Sequence, residues 1–230
     1  MLPVPLKKIL RRPARFALAA ACLAGVAGLA AAAAPPQNAK QLLTAFIEKI
    51  NGAASFEMAF TIAVENPAKG LLHHSEGVLL CSGARYRLTT DESDVYCDGR
   101  SKWICSKATN EVYIQYVSDD EPSDFANNPL RWLASSRQRF FEKQKGERRT
   151  ENGQTLVDVE LSPKEKSSAC TAIVLTLDVD SAWPQAIRYS TKNAAYTIRV
   201  TRITPDVEVF DGYFAFPKHQ YPGIEIIDLR

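Results

Sequence analysis

Histidine occurs only three times in this chain. That scarcity narrows the chemistry at once, because histidine is the commonest metal ligand and acid–base group near neutral pH. His73 and His74 are adjacent in a segment that reads as a strand. Their side chains therefore point to opposite faces and cannot chelate one metal. Both are read as edge or loop residues near Gly70, and His219, in a polar Lys-His-Gln segment, as solvated. No Gly-x-Ser-x-Gly elbow, phosphate-cradling glycine-rich loop, His-Glu-x-x-His or Cys-x-x-Cys occurs. Paired carboxylates such as Asp119-Asp120 fall in a predicted loop, where facing solvent is commoner than catalysis. Two distant carboxylates acting together are the enzymatic alternative. The expectation is a protein that is not an enzyme and holds neither metal nor cofactor.

Surplus positive charge is also missing once the N-terminus is set apart. Lys7, Lys8, Arg11, Arg12 and Arg15 precede an apolar stretch from Phe16 to Leu29, and Ala30 to Ala34 offers A-x-A cleavage choices. That layout predicts a secretory signal peptide over 1–34, with a retained membrane helix as the alternative. Ala19-Ala20-Ala21-Cys22 lacks the large aliphatic residue of a lipoprotein box, and Pro13 and Arg15 spoil a twin-arginine reading of Arg11-Arg12. Five basic and no acidic residues lie in this stretch, so the chain's net +2 becomes about −3 over 35–230. Acidic residues are interleaved with Arg85, Arg87, Arg188, Arg199 and Arg202, which argues against nucleic acid as a partner. Lys143, Lys145, Arg148 and Arg149 are expected in a solvated loop between strands; a dock for an acidic partner or a lipid headgroup is the sharper reading. Residues 35–230 suffice for one domain with a real core.

Four cysteines remain after residue 34: Cys81, Cys97, Cys105 and Cys170. Cys97 and Cys105 flank the Asp98-Gly99 turn in Val95–Cys105, VYCDGRSKWIC, a spacing that matches no common zinc pattern. If the hairpin closes around Gly99 and Arg100, residue 97 lies opposite residue 102. Cys105 is then about 10 Å further along, at ~3.4 Å per residue, beyond an unstrained disulfide. Disulfides of other connectivity and buried thiols both remain open.

Helical spacing of Leu42, Leu43, Phe46, Ile47 and Ile50 predicts a helix over 39–50, stopped by Asn51-Gly52. The period then becomes two. Phe56, Met58, Phe60, Ile62 and Val64 alternate with wetter residues over 55–65, a strong strand signal. Further strands are predicted at 72–82, 85–90, 94–97, 102–106 and 111–117, then at 138–145, 155–162, 170–178, 185–191 and 197–203. Between the two runs lie an acidic loop, Asp119–Pro122, and a second short helix. Asn128 caps that helix, Pro129 sits in its first turn, and it carries Leu130, Trp132 and Leu133. The fold class is mainly β (α+β). A single curled antiparallel sheet of about eleven strands forms an incomplete β-barrel, with short helices covering its concave face.

What remains to act with is apolar surface. Phe56, Met58, Phe60, Ile62, Tyr86, Leu88, Trp103, Val112 and Ile114 are expected to line one side of the curled sheet, with Leu130 and Leu133 on the covering helix. A filled hydrophobic core has the same pattern as a cavity.

This order of elements resembles the LolA-type outer-membrane lipoprotein carriers. The matching residues are Ser55-Phe56 opening the long strand and Val95–Trp103 as a DG-K/R-x-x-W hairpin. They continue with Asn110–Ile114, Asn128-Pro129-Leu130, Phe214-Ala215-Phe216-Pro217, and Tyr221–Arg230, whose ending is similar to that of Bacteroidetes-type members. The resemblance implies a monomeric periplasmic carrier with a helical lid. Its partners would be acylated lipoproteins, an inner-membrane lipoprotein-releasing transporter and an outer-membrane acceptor. A periplasmic lipid- or lipoprotein-sensing regulatory domain of the same fold is the alternative. One departure is plain: proteobacterial members carry a lid-contacting arginine where this chain has Ser82 or Gly83, with Arg85 shifted.

Overall fold

The computed structural model describes residues 38–66, 68–117, 128–166, 168–210 and 212–230. The expected signal peptide and the acidic loop Asp119–Pro122 lie outside the described residues.

The first helix, α1 (Ala39–Gly52), begins where Asn38 Oδ1 accepts the backbone N–H of Gln41 at 2.9 Å. Its stripe of Leu42, Leu43, Phe46, Ile47 and Ile50 is buried. Burying a side chain such as Phe46 contributes about 1.5–3 kcal/mol, so packing rather than propensity holds this helix. After Ser55 the chain runs antiparallel through β1 (Phe56–Asn66), β2 (Gly70–Ser82), β3 (Arg85–Thr90), β4 (Ser93–Cys97), β5 (Ser101–Ser106) and β6 (Glu111–Tyr116). The second helix, α2 (Pro129–Ser136), is capped by Asn128, whose Oδ1 accepts from Arg131 N at 3.2 Å. A 3-10 turn, Arg137–Arg139, leads into β7 (Phe140–Glu151), β8 (Gln154–Pro163), β9 (Cys170–Asp178), β10 (Pro184–Thr191) and β11 (Ala195–Pro205).

All strands belong to one sheet of twelve, in the order β12-β6-β5-β4-β3-β2-β1-β11-β10-β9-β8-β7. The twelfth, β12 (Glu225–Asp228), was not foreseen; it joins β6 in parallel, so the sheet is mixed rather than purely antiparallel. β7 and β12 are its two edges and do not pair, which leaves the sheet an open, incomplete barrel.

Its curl follows from two contacts. Asn128, at the start of α2, touches Cys81 on β2, while Trp132 packs on Phe140 of β7 with ring centroids 5.9 Å apart. A flat sheet would separate β2 from β7 by six strand spacings, about 29 Å. Asn128 and Trp132 are only about 6 Å apart along the helix. The sheet therefore wraps round the helices.

The hairpin at Asp98-Gly99 has its expected register, with Cys97 opposite Lys102. Asp98 Oδ1 accepts the N–H groups of Arg100 and Ser101 at 2.8 and 2.7 Å, and Gly99 takes φ +93°, where a side chain would be strained. His73 and His74 lie in the half of β2 that has only β1 beside it, because β3 pairs with Gly77–Ser82 alone. They occupy a local edge, where His73 Nε2 meets Glu92 Oε1 at 3.3 Å. The basic cluster differs from expectation. Lys143, Lys145, Arg148 and Arg149 belong to the edge strand β7, which continues to Glu151 with an irregularity between Lys145 and Arg149. Lys143 and Lys145 both pair with Glu160, at 2.9 and 3.1 Å, and charge along such an edge discourages further strand pairing.

Candidate apolar binding site

Strand register decides which side chains meet. Phe56, Met58 and Phe60 on β1 stand opposite Cys81, Leu79 and Gly77 on β2. Cys81 and Leu79 stand in turn opposite Tyr86 and Leu88 on β3, which face Cys97 and Val95 on β4. These residues form one buried cluster with Leu130 and Leu133 of α2 and the stripe of α1, and Ile62 packs half-buried against it. Phe60 lies directly over Gly77, where a Cβ would stand 2.6 Å from Phe60 Cζ.

Trp103, Val112 and Ile114 do not share this face, which corrects the expectation that they line the same side. Trp103 stands opposite Tyr96 and Ile114, and Val112 opposite Cys105, so all three turn outward. Val112 is buried with Tyr96 and Cys105 in a second cluster, against which Trp103, Phe216, Tyr221 and Ile224 pack. The reason is local: Val95-Tyr96-Cys97 and Trp103-Ile104-Cys105 are apolar on both faces, so alternation alone selects neither. The apolar residues of the tail, Phe214, Phe216, Tyr221 and Ile224, were the available signal that the outer face needed covering.

The segment after β11 supplies that cover. Asp206 N donates to Ser55 O at 2.9 Å, and Phe214 is buried beneath the Arg85 guanidinium, 5.1 Å from its ring centroid. Arg87 lies between the rings of Tyr96 and Tyr213, at 4.9 and 5.4 Å. Tyr221 donates its hydroxyl to Asp94 Oδ2 at 2.8 Å and lies 3.0 Å from the Tyr96 hydroxyl. The outer face of β3–β6 is thus sealed by the chain itself.

The inner face is closed differently. Among the described residues, no backbone hydrogen bond joins either helix to the sheet. The ties are side chains: Arg131 Nη1 donates to Gly83 O at 3.1 Å, and Asn128 Nδ2 lies 3.6 Å from Cys81 Sγ. Arg137 Nη2 donates to Thr44 Oγ1 at 3.0 Å and joins the two helices. Where the resemblance would place an arginine on the sheet, this chain ties helix to sheet with an arginine from the helix. Arg85 points to the outer face, over Phe214.

Cavities lie at both ends of α2. One of about 80 Å³ lies between the end of α1 and the start of α2, against Ile50, Ala53, Phe56, Cys81, Gly83 and Arg131. The other, about 310 Å³, opens at the far end of α2, between Trp132, Phe140, Pro163, Cys170 and Tyr189, with Arg139, Lys164 and Glu165 also on its border. Three of its walls begin an aromatic row, Phe140–Trp132–Tyr189, that continues beyond it to Tyr196, at centroid spacings of 5.9, 6.2 and 6.1 Å. Burial pushes the Cys170 thiol up to about 11 and the Tyr189 phenol up to about 12. Both are neutral walls at physiological pH. Sequence reading placed Trp132 on the covering helix but missed this opening, because its walls come from five separate elements.

All four described cysteines are free thiols and buried. Cys97 faces inward and Cys105 outward, so the two could not pair. Among the described residues, no three histidine, cysteine or acidic side chains gather as a metal site would require.

No protein-family model matches the sequence, and no curated protein is significantly similar to it. Solved structures do match. An uncharacterized conserved protein from Thermus thermophilus superposes with a TM-score of 0.51 at 7% identity, covering 82% of this chain and 98% of that one. A LolA superfamily protein from Nitrosomonas europaea gives 0.42 at 10% identity, covering 78% and 98%. A chain of the Pseudomonas aeruginosa MucA/MucB complex gives 0.43 at 16% identity, covering 74% and 58%. At such identities the Thermus likeness speaks to the fold alone, and the other two are too loose to argue from.

Proposed function

We propose that this protein is a periplasmic carrier that shelters the acyl chains of lipoproteins on their way from the inner to the outer membrane. In this reading it is a Bacteroidetes-type LolA-like protein, acts as a monomer and performs no catalysis. Its partners are acylated lipoproteins, an inner-membrane releasing transporter and an outer-membrane acceptor. The observation that carries the proposal is how the inner face is closed. An apolar concave sheet is covered by two short helices that side chains alone hold down, and it opens at one end into an apolar cavity. An acyl chain in water costs about 0.8 kcal/mol per exposed CH₂, so a carrier must offer comparable apolar area. It must also release the chain, and a cover without backbone ties can move between closed and open states. Three acyl chains exceed the space in the closed form, so uptake requires the helices to lift.

Asn128→Cys tests this directly. It places a second sulfur beside Cys81 and allows oxidation to lock the start of α2 to β2. Oxidised protein should fail to take up a triacylated lipoprotein, and reduction should restore uptake. Undiminished uptake by the locked form would refute the proposal. The largely filled closed interior favours one second reading, a sensing domain that answers to bound lipid without moving it. Loss of outer-membrane lipoproteins on depletion, with accumulation at the inner membrane, distinguishes the carrier from the sensor.

A further inference from the structure

The geometry points to the cavity at the far end of α2 as a binding site for a single-chain anionic amphiphile, filled without movement of the helices. This deepens the carrier reading by naming a ligand class for the closed form, and it rests on that reading only for the apolar character of the face. The volume, about 310 Å³, lies at the small end of the 300–1,000 Å³ typical of ligand sites, so it suits one chain and not three. The interior is dry in character. Trp132 and Phe140 meet edge to face, and the thiol of Cys170 and phenol of Tyr189 stay neutral and buried.

The border carries the charge. Arg139 ends the 3-10 turn and Lys164 follows β8, and their backbones are joined by Lys164 N–H donating to Arg139 O at 2.9 Å. That bond sets the two residues side by side, and both border the mouth. Lys164 Nζ also stands 5.3 Å from the ring centroid of the exposed Phe141, the neighbour of the cavity wall Phe140 on the other face of β7. Among the described residues Glu165 is the one acid on this border, exposed and one residue beyond Lys164. A chain that enters between Trp132 and Tyr189 therefore leaves its head group beside two cations and one anion. The shared chemistry is a single acyl chain with a terminal anion, supplied either by a fatty-acid carboxylate or by a lysophospholipid phosphate.

Calorimetric titration of the full protein, below micelle-forming concentrations, with dodecanoate, lauroyl lysophosphatidic acid and neutral monolauroyl glycerol tests this. At least one anion should bind about 3- to 10-fold more tightly than the neutral compound, as two exposed charge contacts would give. The exposed-site double variant Arg139→Ala/Lys164→Ala should abolish that preference. Preference for dodecanoate alone identifies the carboxylate source, and preference for the phosphate alone identifies the lysophospholipid. In NMR spectra of the unmodified protein, the indole N–H of Trp132 should shift on binding while that of Trp103, on the outer face, should not. Equal affinity for all three compounds, or a shift at Trp103 alone, would overturn the inference and leave the carrier reading intact. Absence of binding by any compound would also overturn it. The carrier reading is then decided separately by the oxidation lock at the opposite end of α2.

Discussion

Gly77→Ala should destabilise the fold, although the same change at most exposed strand positions would help it. The new Cβ would stand 2.6 Å from Phe60 Cζ and 3.1 and 3.2 Å from its two Cε atoms. Carbon atoms pack at about 3.5–4.0 Å, so the ring must retreat by roughly 1 Å. Phe60 is 7% exposed, with Val200 opposite it on β11, so the ring can retreat only by leaving its packed position for the hollow it borders with Gly77. Overpacking of this kind costs about 1–3 kcal/mol, and the stiffer unfolded chain returns about 0.4–1 kcal/mol. The net expectation is a loss of about 1 kcal/mol, within a span of about 0–2.6 kcal/mol. It is read as a fall in the urea midpoint with an unchanged slope. Phe60→Leu removes the ring atoms in the way, so adding it to Gly77→Ala should cost about 1 kcal/mol less than the two single losses summed. Additivity within about 0.5 kcal/mol, or a stabilised Gly77→Ala protein, would refute the reasoning.

Two further outcomes follow from the outer face and the thiols. Tyr221→Phe removes the hydroxyl donated to Asp94 at 2.8 Å, a bond to a charged group worth about 1.5–3 kcal/mol. Amide exchange over 212–229 should then quicken before that of β1 and β11, and unchanged protection there would count against the latch. Burial raises the thiols of Cys81 and Cys105 to about 12 and that of Cys170 to about 11, from an ordinary value of 9.0. Above pH 9 the unfolded chain therefore releases thiol protons that the folded chain keeps, so stability is fully present below pH 9 and falls as pH rises towards 11. Each thiol contributes a slope of up to about 1.4 kcal/mol per pH unit. Denaturation midpoints between pH 8 and 10.5 should show the decline, and Cys170→Ala should make it shallower. A flat profile in that range would contradict the burial of the thiols.

Local chemistry made much of the architecture readable from the chain. The α1 stripe, the alternation of β1, the Asn128 cap and the Asp98-Gly99 turn each depend on neighbours a few residues away. The register that sets Cys97 opposite Lys102 follows from that turn, and it already separated Cys97 from Cys105. By contrast, β12 is four residues long and gains its partner β6 only through a parallel pairing more than a hundred positions back along the chain, so no local pattern announced it. The extension of β7 through its charged residues likewise depends on Glu160 and Asp158 of β8 to receive those charges.

The candidate site divides along the same line. Period-two spacing established that each strand has two faces, and it placed Phe56, Met58, Phe60 and Ile62 together on one of them. It could not say which face of β4–β6 is inside, because Tyr96, Trp103 and Val112 are as apolar as Val95 and Ile104. Tertiary contacts decided that, through Tyr221 reaching back to Asp94 and the tail covering Trp103. The cavity beside Trp132 was also a tertiary matter, since its walls on β8, β9 and β10 reach α2 only through strand pairing and packing far along the chain. By itself the sequence determined strands, turns and helix ends, whose energies are local. Which apolar surface is sealed and which is left able to open was settled by packing between residues far apart in the chain.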